Sequence, residues 1–209
     1  MRGPVRWMVF LLACSLGWSI GSQAADNSRV AVFIYSDVRV PSETLNRAQH
    51  QVAKVFARAG VDIMWFNCTV HATIGSQPRC EPVDHPNSLI LRITDHAATA
   101  TSDSAFGVAF LGAGGIGQYG DVFWNRVEEL RSRSGVDDGA VLGSVLAHEM
   151  GHLLLGSNAH SISGIMKPRW NAAELRAIAE GSLMFLPEQE QRMRERIPEA
   201  RMVSQALKR

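Results

Sequence analysis

The segment Ala140–Leu155 (AVLGSVLAHEMGHLLL) limits what this chain can fold into more than any other feature. Its apolar residues lie nearly all round a helical wheel, which predicts a long helix buried in the core. Three residues that can carry charge, His148, Glu149 and His152, interrupt this apolar surface. Burying two imidazoles and a carboxylate is costly unless they are paired or bound to a metal ion. The core must therefore enclose a polar site, and we predict a metal centre there.

The spacing of these residues is H-E-x-x-H, which predicts a zinc site. His148 and His152 are four residues apart, so a helix places both imidazoles on one face, where they can reach one ion. Glu149, beside the first ligand, can receive the proton of a metal-bound water. Catalytic zinc takes three protein ligands and keeps a fourth position open for that water.

The third ligand is less tightly specified by the sequence. Gly156 can end the helix with positive φ and turn the chain back, so we expect His160 to return to the metal as the third ligand. Glu174, on a following helix, is the chief alternative. The remaining histidines of the mature chain are predicted to be solvated or hydrogen-bonded rather than ligating: His50, His71, His85 and His96.

The same block carries a resemblance to a known family. The run from His148 to His152, followed by Ser163-Gly164-Ile165-Met166, resembles the active-site segment of the metzincin clan of zinc peptidases, H-E-x-x-H-x-x-G-x-x-H followed by a methionine turn. It is also similar to a little-characterised group of exported bacterial proteins that carry the block HEMGHLLLGSNxHSxxGIM. The resemblance implies an α+β, metzincin-like zincin fold: a mixed β-sheet with a backing helix, an active-site helix and C-terminal helices. It also implies that Met166 lies beneath the metal.

The chain departs from the clan pattern in two places. Gly156 comes one position late and His160 two positions late, with Asn158 in the expected place of the ligand, although the distance from His152 to Met166 is the clan's usual one. Some clan members also use a tyrosine just past the methionine turn to steady the oxyanion, and this chain has none there. Tyr119, from a Gly-rich loop, or the metal alone would then do that work.

These observations together predict an exported zinc metallopeptidase. It would hydrolyse a peptide bond of a peptide or protein substrate through a zinc-activated water, with Glu149 as general base. The alternative is a non-catalytic exported zinc-binding protein with a closed structural site, in which a residue such as Glu174 replaces the water. A weaker possibility is hydrolysis of some non-peptide amide, such as cell-wall peptide crosslinks.

The first 24 residues predict export and do not belong to the fold. A basic start (Arg2, Arg6), the apolar run Trp7–Ile20 and the small residues at Ser22–Ala24 are typical of a secretory signal peptide. We therefore expect residues 25–209 to form a single zinc-peptidase-like domain with no stable transmembrane span after cleavage. Leu11–Cys14 also resembles a bacterial lipobox, so lipidation at Cys14 is a second possibility.

Cysteines and charge agree with an exported enzyme. In an oxidising compartment, Cys68 and Cys80 are predicted to form a disulfide that closes a surface loop. The net charge of +1 gives no footprint for nucleic acid or an anionic membrane. The sequence does not indicate an oligomeric state.

Hydrophobic periodicity predicts the order of elements. The chain starts strand–helix–strand, which makes parallel neighbours. Gly112–Gly117 matches G-x-G-x-x-G, but turn and strand residues follow it instead of a helix, so we read a Gly-rich loop and not a dinucleotide site. Asn125–Glu128 has the pattern of a helix-opening capping box. The predicted strands are Arg29–Tyr35, Val61–Phe66, Ser88–Ile93, Ala105–Leu111 and Asp121–Trp124, and the predicted helices are Pro41–Ala59, Asn125–Gly135, Ala140–Leu155 and two that start at Asn171 and Pro187.

Overall fold

A computed structural model describes residues 28–68, 80, 87–95 and 105–197 of the chain. The predicted signal peptide (1–24), the possible lipidation site Cys14, and His71, His85 and His96 lie outside these residues. The described elements are β1 (Ser28–Ser36), α1 (Ser42–Arg58), β2 (Val61–Cys68), β3 (Ser88–Thr94), β4 (Gly107–Phe110), β5 (Tyr119–Phe123), α2 (Trp124–Ser134), α3 (Asp138–Leu155), α4 (Ala172–Ala179) and α5 (Pro187–Arg196).

The described strands form one mixed sheet in the order β2-β1-β3-β5-β4. Strands β1, β2, β3 and β5 run parallel, and β4 pairs antiparallel with β5 at the edge. The predicted strand–helix–strand start is confirmed, because α1 joins the parallel neighbours β1 and β2. This mixed sheet with its helices confirms the predicted α+β fold class.

The helix α3 forms the centre of the core, as its composition predicts. Every residue from Val141 to Leu155 is buried. Helix α1 packs along α3 so closely that a Cβ on Gly143 would lie 2.6 Å from the Ala48 carbonyl oxygen. The two ends of α3 also follow the sequence: the Asp137 side chain accepts a hydrogen bond from the Ala140 amide, and Gly156 ends the helix with φ of 63°.

Two short segments differ from the prediction. Helix α2 begins at Trp124, with Phe123 as a cap that makes no side-chain hydrogen bond, so the predicted capping box at Asn125 is wrong. The reason is that β5 runs directly into α2 and leaves no free turn for a capping side chain. Strand β5 also starts at Tyr119, two residues earlier than expected, so Tyr119 belongs to a strand and not to the Gly-rich loop.

The Gly-rich loop is the turn of a β-hairpin. It connects the antiparallel strands β4 and β5, and the Gly112 amide donates to the Ile116 carbonyl at 2.8 Å. A dinucleotide loop instead leads from a strand into a helix whose N-terminus holds the phosphates. The hairpin connection therefore agrees with reading this segment as a loop.

The predicted disulfide is confirmed. Cys68, at the end of β2, is bonded to Cys80, with the two Cα atoms 5.7 Å apart. The Tyr35 hydroxyl donates to the Cys80 carbonyl at 2.9 Å and ties this bridge to β1. Among the described helices, none is both long enough and apolar enough to cross a membrane.

Candidate metal centre

The structure brings three histidines together. His148 and His152 lie one turn apart on α3, and the chain that leaves the helix at Gly156 turns back to present His160. One nitrogen from each of the three imidazoles lies within 4.8 Å of the other two. These residues form a group able to bind a metal ion.

Hydrogen bonds fix how two of the rings are oriented and protonated. The Nδ1–H of His148 donates to the Ile165 carbonyl at 2.7 Å, and that of His152 donates to the Ser157 carbonyl at 2.8 Å. Each Nε2 is then left with a lone pair and no hydrogen. Such backbone acceptors commonly hold metal-ligating imidazoles in place.

The two Nε2 atoms face each other at 3.1 Å. With both protons on Nδ1, neither Nε2 can donate to the other, so the two lone pairs repel. Two nitrogens bound to one tetrahedral zinc at about 2.05 Å each would lie roughly 3.3 Å apart. A bound cation removes the repulsion at nearly this separation, and the donor set therefore fits zinc.

Burial keeps the imidazoles in the form that binds metal. Burial, together with neighbouring His152, lowers the pKa of His148 to about 3. Burial also lowers the pKa of His152 and that of His160. Because metal ligation requires neutral imidazole, these shifts favour binding at neutral pH.

Glu149 is only 3% exposed. It lines a cavity that the three histidines also line. Burial raises the pKa of its carboxyl group to about 8. A dication held by the adjacent imidazoles would favour the ionised form instead. Strand β4 covers this side chain closely, since a Cβ on Gly107 would lie 2.9 Å from the Glu149 Cδ.

Met166 lies beneath the metal-binding helix. It is fully buried, and a Cβ placed on Gly151 would lie 2.5 Å from the Met166 Sδ. Gly151 therefore provides the close approach between α3 and the methionine turn. The residue before the methionine, Ile165, supplies the carbonyl that accepts from His148, so the turn also orients this imidazole ring.

The three histidines line a cavity of about 470 Å³. Its lining includes the segment Ala105–Ala109, which contains most of the edge strand β4, and also Pro168 and Arg169. Three of the lining residues belong to no motif of the sequence: Phe106, Gly107 and Arg169. For Arg169 there was one signal, its place just after the methionine turn.

Two other candidates do not join this group. The Tyr119 hydroxyl donates to Asp121 Oδ1 at 2.8 Å, and Tyr119 is not among the residues that line the cavity. Its role in oxyanion support stays an untested prediction. Both carboxylate oxygens of Glu174 are engaged, one by the Lys167 ammonium at 2.8 Å and the other by the Asn171 amide at 2.9 Å.

The fold has known counterparts. A zinc-dependent peptidase from Methanocorpusculum labreanum has a similar structure, with a TM-score of 0.52 and 18% identity, covering 78% of this chain and 99% of that one. Archaemetzincin from Methanopyrus kandleri also has a TM-score of 0.52, with 14% identity, covering 85% of this chain and 98% of that one. This chain has the fold of zinc-dependent peptidases. No protein-family model and no curated protein sequence matches it.

Proposed function

We propose that this protein is an exported zinc metallopeptidase that hydrolyses peptide bonds in the cavity next to His148, His152 and His160. The observation that carries the proposal is the pair of Nε2 atoms at 3.1 Å, both without a hydrogen, beside a buried glutamate. This arrangement is unfavourable without a cation. The fold shared with zinc-dependent peptidases supports the choice of metal and reaction.

The three imidazoles would hold the zinc, and Glu149 would move the proton. When bound, zinc supplies a Lewis acid that lowers the pKa of a coordinated water and polarises the substrate carbonyl. Glu149, in the cavity wall, accepts the proton of the attacking water and returns it to the leaving amine. Its burial favours the protonated carboxyl group that the second transfer requires.

The edge of the sheet offers a place for the substrate backbone. Strand β4 is the last in the sheet order, and the segment 105–109 lines the cavity. An extended peptide can add to such an edge through main-chain hydrogen bonds. A peptide laid along β4 would pass over the catalytic glutamate, because Gly107 packs directly against Glu149.

An open site is better supported than the closed, non-catalytic alternative. A closed site needs a fourth protein ligand, and its leading candidate, Glu174, is held by Lys167 and by the backbone at the start of α4. The only residues of the described ranges that form a metal-ligating group are the three histidines. A structural site would also have no use for the buried Glu149.

Export is part of the proposal. The predicted signal peptide at residues 1–24 supports it, and the Cys68–Cys80 disulfide is consistent with an oxidising compartment.

The test compares Glu149→Gln with a matched variant, Glu128→Gln, at an exposed position on α2. Protein produced from the full chain is loaded with zinc and incubated with a diverse peptide pool, and cleavage is read by mass spectrometry. We expect one zinc per chain in all three proteins. We expect Glu149→Gln to lose about 100-fold or more in rate, since a general base contributes 10²–10⁴-fold, whereas Glu128→Gln keeps the wild-type rate.

Three outcomes would contradict the proposal in different ways. Equal cleavage by Glu149→Gln and wild type would remove the glutamate from the mechanism. A zinc-loaded wild type that unfolds on chelation but cleaves no peptide would favour the closed structural site. Cleavage that survives full zinc removal would mean that the activity does not belong to this centre.

A further inference from the structure

A second cavity adjoins the metal-binding cleft. Its volume is about 210 Å³, and we call it the side pocket. Two aromatic residues, Phe106 and Trp170, line it. Four charged residues also line it: Arg126, Glu129, Arg133 and Arg169. Phe106 and Arg169 line both the side pocket and the metal-binding cleft, so the two cavities meet at these residues.

The charges in the side pocket do not balance. Two guanidinium groups of its lining, those of Arg126 and Arg133, share the single carboxylate of Glu129. Glu129 accepts from Arg126 at 2.6 Å and from Arg133 at 3.3 Å. The hydrogen bond from Arg126 lowers the pKa of Glu129, so its carboxylate is ionised at neutral pH. These three side chains therefore leave one positive charge in excess beside the proposed site of hydrolysis.

The geometry points to a specificity subsite: we infer that the side pocket binds a carboxylate of the peptide substrate. This inference rests on the proposed peptidase function. The carboxylate is either the side chain of an aspartate or glutamate or the C-terminal carboxylate of the peptide.

Shape and chemistry favour this ligand over others. Arginine presents a planar fork that matches a carboxylate with two parallel hydrogen bonds. The ring of Phe106 lies against that of Trp170, with centroids 4.2 Å apart, and forms an apolar wall for the methylene groups of a glutamate. The pocket is smaller than the 300–1,000 Å³ typical of sites for drug-sized molecules, so it suits one side chain or a chain end.

A peptide bound along β4 would also reach this pocket. Phe106 immediately precedes β4, whose residues line the cleft. Side chains of an extended peptide alternate between the two sides of its strand. A peptide paired with β4 would therefore bring one side chain, or its end, to the place where the two cavities meet.

Cleavage selectivity tests the inference with two variants that act in opposite directions. Arg126→Gln removes a positive charge from the pocket, and Glu129→Gln removes its negative charge. Arg131→Gln, at an exposed position of α2 outside the pocket, is the matched control. Quenched fluorescent peptides are taken from the best substrates of the zinc-loaded wild type and differ only by Glu or Gln at one position, with amidated and free C-termini.

At the peptide position that reaches the side pocket, we expect the wild type to prefer Glu over Gln by about tenfold in kcat/KM. A charge-assisted hydrogen bond allows a preference of this size. Arg126→Gln should reduce this preference, Glu129→Gln should increase it, and Arg131→Gln should leave it unchanged. If only the free C-terminus responds to the variants, the ligand is the chain end. If the variants move the preference in the same direction, or not at all, the side pocket is not a carboxylate subsite.

A binding measurement separates this inference from the proposed function. Zinc-loaded Glu149→Gln is titrated with fluorescein-labelled alanine hexapeptides that contain one Glu or one Gln, with and without the Arg126→Gln change. Tighter binding of the Glu peptide that needs Arg126 supports the pocket even if the wild type cleaves nothing. Equal binding of both peptides overturns the inference even if the wild type is an active peptidase.

Discussion

The close contact between α3 and the methionine turn can be tested by adding one methyl group, in Gly151→Ala. The new Cβ would lie 2.5 Å from the Met166 Sδ and 2.8 Å from the Phe185 Cε1. Ordinary contacts of this kind are about 3.5–4.0 Å, so the methionine must move by about 1 Å or more. Met166 is fully buried, so its side chain cannot move into solvent without exposing the core.

Two effects of the substitution oppose each other. Alanine favours an α-helix over glycine by about 1 kcal/mol. Overpacking a well-filled core costs typically about 1–3 kcal/mol. We therefore expect Gly151→Ala to lower the free energy of unfolding by about 1 kcal/mol, whereas the same change at an unobstructed helical site would raise it.

A double-mutant cycle with Met166→Ala isolates the clash. Truncating Met166 alone should cost about 2–5 kcal/mol. Once the thioether is gone, only the contact with the Phe185 ring remains, so the second substitution should destabilise less than it does alone. The coupling between the two sites should reach about 1–2 kcal/mol, within the range for residues in contact.

Urea unfolding of the metal-free, disulfide-intact protein measures this coupling, because bound zinc would otherwise add its own stabilisation. Strictly additive effects of the two substitutions would refute the proposed packing. A stabilised Gly151→Ala single variant would refute it as well, since the helix would then have had space for a side chain.

Two further predictions concern Glu149. In the metal-free protein, the folded state holds the Glu149 proton up to about pH 8, while the unfolded chain releases it above its ordinary pKa of 4.5. Wild type should therefore lose stability relative to Glu149→Gln by roughly 1.4 kcal/mol per pH unit as pH rises between these values, measured by urea unfolding from pH 5 to 8; parallel stabilities would contradict this. Gly107→Ala should keep zinc but lose about 10–100-fold in peptidase rate, because its Cβ would lie 2.2 Å from the Asp121 carbonyl oxygen and 2.9 Å from the Glu149 Cδ; an unchanged rate would show that β4 does not position the base.

Local geometry explains why much of the metal centre could be predicted from the sequence. A spacing of four residues brings His148 and His152 to one face of any α-helix, whatever surrounds it. The apolar residues around them predicted the burial of that helix, and Gly156 marked its C-terminal end. His160 required one further step, the reversal of the chain after the helix.

The walls of the two cavities could not be predicted in this way, because they depend on contacts between distant segments. Arg169, after the methionine turn, and Arg126, on α2, line the same side pocket although they are far apart in the sequence. Tyr119 is not part of the cleft lining, and its hydroxyl donates to Asp121, two residues further along β5. The capping pattern at Asn125 was a sound local signal, but the continuous passage from β5 into α2 overrode it.

A zinc-soaked crystal, measured at the zinc absorption edge, tests the central claim most directly. The account predicts one anomalous peak about 2.0–2.1 Å from the Nε2 atoms of His148 and His152 and from one nitrogen of His160, with a solvent oxygen in the fourth position. A peak whose fourth ligand is a protein side chain would contradict an open catalytic site. If crystals soaked in excess zinc show no peak at these histidines, the metal centre itself is contradicted.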